Sequence, residues 1–95
     1  MSKSMIKQSL SQFIMRHFSQ ARTRTLADDD PLLESGIVDS LGVLDLVSFI
    51  ETEFEISVED EDLLPEYFNS IERIATFVQN KQNEAGALSG PRNLN

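Results

Sequence analysis

Three stretches of this chain repeat their apolar residues at spacings of three and four, and nothing in it alternates apolar with polar residues long enough to build a sheet. The first is Ile6, Leu10, Phe13, Ile14 and Phe18; the second is Leu41, Leu44, Val47, Ile50 and Phe54; the third is Ile71, Ile74, Ala75 and Val78. A chain patterned this way closes a core by packing helix on helix. The expected fold is all-α, a small four-helix bundle of three long helices and one short one joined by long loops. The first helix is expected over residues 3 to about 20 and the second from about Ser40 to Glu53 or Phe54. A short turn is expected at Pro65 to Phe68, and a last helix opened by Asn69 and Glu72 as a capping box should end near Lys81. Ile56 and Val58 alternate with polar neighbours too briefly for a sheet and read as an apolar anchor, so no strand is expected.

With 95 residues, 40% of them apolar, the chain has material for one domain. It has no cysteine, so no disulfide, thiolate metal site or cysteine nucleophile is available, and the fold rests on its apolar core. Residues 1–82 are expected to form that domain. Residues 83–95, rich in Gly, Ser, Asn and Ala, are expected to be a disordered tail. No apolar run approaches the roughly 20 residues that span a bilayer, and Lys3 and Lys7 are not followed by a signal-peptide core. The expected location is the cytoplasm. The basic, acid-free start resembles an organellar presequence, but its apolar stripe is one a small core can hardly spare, and a core helix is the better reading.

The net charge of -8 is unevenly spread. Every charged residue before Asp28 is basic, whereas the thirteen from Asp28 to Asp62 are all acidic. Such a block repels nucleic acid and anionic lipid and favours encounter with a basic protein surface. From Arg22 to Val38 the helical period lapses, and Asp30-Pro31 disfavours helix. Leu26, Leu32, Leu33, Ile37 and Val38 are too apolar to leave in water, so this loop should pack down, with Gly36 permitting a tight turn. Ser40 stands where the loop hands over to the second helix, and the free N–H groups and dipole of a helix start favour an anion. Taken alone, Ser40 or Asp39 is an ordinary helix cap.

The wider pattern says more. Asp39-Ser40-Leu41, Leu46-Val47, Glu51, Phe54, Ile56-Ser57-Val58, the acidic run through Asp62 and Asn69-Ser70-Ile71 together resemble the acyl or peptidyl carrier proteins. That resemblance, with the first helix, covers about four-fifths of the chain. It implies that a 4'-phosphopantetheine arm from coenzyme A is attached to Ser40 by a separate Mg²⁺-dependent phosphopantetheinyl transferase, with Asp39 and Leu41 beside it. It also implies that the domain is not an enzyme but a monomeric carrier of acyl or aminoacyl thioesters. A loading ligase would supply the cargo and downstream enzymes of fatty-acid, polyketide, nonribosomal-peptide or related specialised biosynthesis would receive it. Asp45, Glu51 and Glu55 would then be docking contacts for basic enzyme surfaces, and Ile56, Leu63, Tyr67, Phe68 and Ala75 either core or the lining of an acyl cleft.

Two features depart from the carriers of fatty-acid synthesis: Gly36 stands three residues before Asp39 instead of two, and Gly42 replaces a polar residue after the triplet. With Leu64 to Ser70, they look more like stand-alone carriers for amino acids or specialised pathways. Gly42 is read as leaving access to the Ser40 hydroxyl. Ser40 lacks the Gly-x-Ser-x-Gly elbow and downstream histidine of a hydrolase, and His17 has no partner at useful sequence spacing. The acids at 28–30 and 59–62 lack the alternation and central glycine of an EF-hand, and no metal site is assigned. The competing readings are an unmodified acidic adaptor for a basic protein and, behind it, a cation-sensing domain.

Overall fold

The computed structural model describes residues 2–18, 21 and 26–92, the side chains of 85–92 excepted. Helix α1 spans Lys3–His17, α2 spans Ser40–Phe54, α3 is the single turn Pro65–Phe68 and α4 spans Ile71–Arg92; a 3-10 turn at Asp60–Asp62 lies between α2 and α3. Among the described residues there is no strand, and the fold is the all-α arrangement of three long helices and one short one.

Helix α1 begins at Ser2, whose hydroxyl accepts the Met5 N–H at 3.3 Å, and ends with Arg16 and His17 at its negative pole. Its last bond is from Phe18 N–H to the Ile14 carbonyl, which closes the helix at His17; residues 19 and 20 lie outside the described residues. Ile6, Leu10 and Ile14 are completely buried, and α1 packs against α4. Burying a side chain of this size contributes roughly 1.5–3 kcal/mol, against a net stability of about 5–15 kcal/mol for a whole domain. The first helix is therefore a structural member of the core. Lys3 and Lys7 both reach Glu72 at the start of α4, and Lys7 also reaches Asp28 at 3.2 Å. The two ammonium groups, Lys3 first, hold the Glu72 carboxyl down at about 2.

Helix α2 is rotated from its expected orientation. Gly42, Leu46, Ile50 and Phe54 face inward, while Leu41 is 75% and Leu44 55% exposed. Two stripes on this helix have helical spacing and differ by about one residue, or 100° around the axis. The inward stripe is the one that buries Leu46, Ile50 and Phe54 in the core. Ile56 is buried behind the α2 C-terminus and Val58 packs against the core, so the expected anchor forms.

The start of α4 also differs from expectation. Asn69 is not the cap: Ser70 accepts the Arg73 N–H at 3.1 Å through its hydroxyl, and Glu72 is engaged by the lysines of α1. The helix continues to Arg92 instead of ending near Lys81. Ala85, Ala87 and Leu88 favour helix, and no proline intervenes until Pro91. Val78 is the last buried side chain described on it.

Candidate functional site

The segment leading to Ser40 is held by its own buried side chains and by the α3–α4 junction. Leu32, Ile37 and Val38 are buried, as their apolar character requires. Leu32 N–H donates to the Asn69 carbonyl at 2.7 Å and Leu33 N–H to the Asn69 side-chain oxygen at 3.2 Å. Asn69, expected to cap α4, instead clamps this loop. Gly36 adopts φ 82°, the left-handed conformation a tight turn needs and a β-carbon disfavours, and Val38 N–H then returns to the Leu32 carbonyl at 3.1 Å.

Asp39 is the cap of α2: its Oδ1 accepts the Gly42 N–H at 2.7 Å. Ser40 is therefore released from capping; it is the first helical residue and is exposed to solvent. No acidic side chain lies in that first turn, so within α2 the positive end of the dipole faces only the carboxylate of the cap. Gly42, expected to leave access to the hydroxyl, has a further close neighbour. It is buried on the opposite flank, where an added β-carbon would stand 2.5 Å from Cε1 of Phe18. The missing side chain makes room for an aromatic ring from the end of α1.

Beside Ser40 lies an open cleft of about 580 Å³, bounded by the 33–38 loop, the first turn of α2 and the α3 region. Leu63 and Phe68, expected at an acyl cleft, line it. Ile56 and Ala75 belong to the core, and Tyr67 stacks on Phe77 at 5.4 Å in a separate pocket shared with Arg73 and Lys81. The remaining apolar walls include Leu33, Val43, Leu44, Leu64 and Pro65, which the sequence reading did not assign to a site. The signal was present: α2 carries Leu41, Val43, Leu44, Leu46, Val47, Phe49 and Ile50, more apolar residues than one buried face can absorb.

The acids read as docking contacts have different surroundings. Asp45 is exposed, and its Oδ2 lies 3.0 Å from His17 Nε2, so the histidine does have a carboxylate partner, supplied by another helix. Glu51 accepts the Val58 N–H at 2.8 Å and ties the loop after α2 to the helix. Glu55 closes α2 in the left-handed conformation, with its side chain exposed. Among the suggested cation ligands, Asp30 caps Ala27 N–H at 2.8 Å, and Asp62 accepts Glu59 N–H at 3.0 Å while pairing with Lys81 at 2.7 Å. Among the described residues no cluster of three or more His, Cys, Asp or Glu is arranged to hold a metal ion.

An exposed hydroxyl at a helix start beside an apolar cleft suits a phosphate ester with a flexible, partly apolar arm. Comparison with known proteins gives the same chemistry. Residues 14–78 match the family model described as "Phosphopantetheine attachment site". The chain belongs to the phosphopantetheine-attachment family of carrier proteins. It is 29% identical over 75 residues to the "Probable acyl carrier protein PigG" of a Serratia species, covering 79% of this chain and 86% of that protein. It is 34% identical over 55 residues to the "D-alanyl carrier protein" of Streptococcus uberis, covering 58% and 70%. Among solved structures, "Crystal structure of FAD-dependent dehydrogenase" contains a chain that superposes with a TM-score of 0.66 at 26% identity, over 73% of this chain and 97% of that smaller one.

The cofactor of this carrier is phosphopantetheine. Proteins of the family carry a group without transforming it, and they work with phosphopantetheinyl transferases and biosynthetic enzymes. Among the described residues, no helix of the carrier is long and apolar enough to cross a membrane.

Proposed function

We propose that Ser40 is the attachment residue, and that residues 1–82 act in the cytoplasm as a monomeric carrier of acyl or aminoacyl thioesters for a specialised pathway. The observation that carries this reading is the position of Ser40: first residue of α2, exposed, with its capping duty taken by Asp39 and an apolar cleft alongside. When bound, the arm supplies a terminal thiol that holds the cargo. The chain contributes a rigid base, because the buried Leu32, Ile37 and Val38 and the Asn69 clamp fix the loop before the serine. The start of α2 favours the phosphodiester, and Leu33, Val43 and Leu63 give an apolar arm or cargo a surface to lie on.

Docking is assigned to the outward face of α2. Leu41 and Leu44 are exposed large apolar residues adjoining the attachment point, and Asp45 lies beside them. Buried apolar contact at the centre of such a face supplies affinity, while the surrounding acids steer a basic partner. Glu55 is placed for the same use; Glu51 acts first as a loop tie. The named relatives, one an acyl and one a D-alanyl carrier, support acyl or aminoacyl cargo.

The test is to incubate the phosphopantetheine-bearing protein with a panel of acyl- and aminoacyl-activating ligases and ATP, and to read the intact mass. A hydroxylamine-labile mass increase with at least one ligase is expected. Failure with the whole panel, while a control carrier is loaded, would remove the assignment of cargo class.

A further inference from the structure

We propose that Phe18 is a positioning residue for the modification of Ser40, acting as a wedge seated on Gly42 in the first turn of α2. The inference rests on the assignment of Ser40 as the attachment residue. The two residues are 24 positions apart, and the fit between them is tight: a β-carbon on Gly42 would meet Phe18 Cε1 at 2.5 Å and Cζ at 3.1 Å. The same point is 3.1 Å from Asp39 Oδ1, the oxygen that caps Gly42 N–H. The ring edge therefore abuts the backbone at Gly42, the residue whose N–H the Asp39 carboxylate caps.

The ring is partly buried, with aromatic neighbours on two sides. Phe13 meets it edge-on at 6.3 Å and His17 at 4.9 Å. Phe13 is itself stacked on Phe49 of α2 at 4.2 Å, and His17 is tied to Asp45 of α2 at 3.0 Å. The end of α1 is thus braced against α2 at three successive levels, of which Phe18 on Gly42 is the nearest to Ser40. With Gly42 turned inward toward the ring, Leu41 and Leu44 are turned out beside the serine. Phe18 sets the position of the hydroxyl without touching it.

Gly42→Ala, Phe18→Leu and the double variant test this, with transfer of phosphopantetheine from coenzyme A measured at a temperature where circular dichroism shows each variant folded. Gly42→Ala is expected to lower kcat on the order of tenfold, the scale at which small displacements of a reacting group are felt, with KM for the protein little changed. Phe18→Leu is expected to lose less, and the double variant to recover much of the rate lost by Gly42→Ala, because the smaller side chain vacates the space the methyl needs. The Ser40 and Leu41 amide resonances should move in Gly42→Ala and return toward their original positions in the double variant. Additive losses, or a Gly42→Ala protein with unchanged rate and unchanged Ser40 resonance, would overturn the wedge. Absence of modification on the natural chain would instead refute the assignment of Ser40, and the resonances alone would then decide the wedge.

Discussion

Replacing Asp39 separates two roles that the sequence superimposes on one residue. In the folded chain its Oδ1 accepts the Gly42 N–H at 2.7 Å, and among the described residues it is the side chain that caps α2. Asp39→Ala removes that acceptor, and loss of a cap costs about 1 kcal/mol, within a range of roughly 0.5–2. For a domain of this size that corresponds to a fall in Tm of about 4–8 °C. Asp39→Asn keeps an oxygen in the same place and removes only the charge, whose attraction to the helix dipole at an exposed site is worth a few tenths of a kcal/mol. Its Tm should fall by no more than about 1–3 °C. Melting curves by circular dichroism at pH 7, set beside rates of phosphopantetheine transfer, distinguish the roles. A normally folded Asp39→Asn protein that is modified slowly assigns the charge to the transferase or its metal. If Asn destabilises as much as Ala, or if Ala costs nothing, the capping argument is wrong.

Two further outcomes are expected. Glu72 has its carboxyl lowered from the usual range to about 2 by Lys3 and Lys7, so its contribution to stability is present above pH 4.5 and is lost as pH falls toward 2. Glu72→Gln should flatten the acid limb of a stability–pH curve between those values, and an unchanged limb would contradict the pairing. Leu41→Asp and Leu44→Asp replace exposed side chains, so Tm should change by only a few degrees while transfer from a loading ligase slows at least about tenfold; equal rates would remove α2's outer face as the docking surface.

The parts of this structure that are legible in the sequence are those set by local pattern. Helix positions follow from the recurrence of Ile6, Leu10 and Ile14, of Ile50 and Phe54, and of Ile71, Ile74 and Val78, all of which are buried. The burial of Leu32, Ile37 and Val38 and the turn at Gly36 follow from side-chain hydrophobicity and backbone freedom. What escapes is set by contacts between distant residues. In the observed orientation of α2 Gly42 faces Phe18, a residue 24 positions earlier, and the pattern within α2 does not encode that meeting. Asn69 and Glu72 have the spacing of a capping box, yet each is drawn to a partner more than 30 residues away, Leu33 and the α1 lysines respectively. Of the residues read as either core or cleft, Ile56 and Ala75 are buried in the core while Leu63 borders the cleft, a division that hydrophobicity alone does not make.

The most direct test of the carrier reading is the intact mass after incubation with coenzyme A, Mg²⁺ and a broad-specificity phosphopantetheinyl transferase, for the natural chain and Ser40→Ala. Ser40 is exposed and caps nothing, so the variant should fold normally. One phosphopantetheine gained by the natural chain and none by Ser40→Ala is the expected result. Modification of both proteins would place the attachment at another residue, and modification of neither, with more than one transferase and folded protein, would leave the unmodified acidic adaptor as the better description.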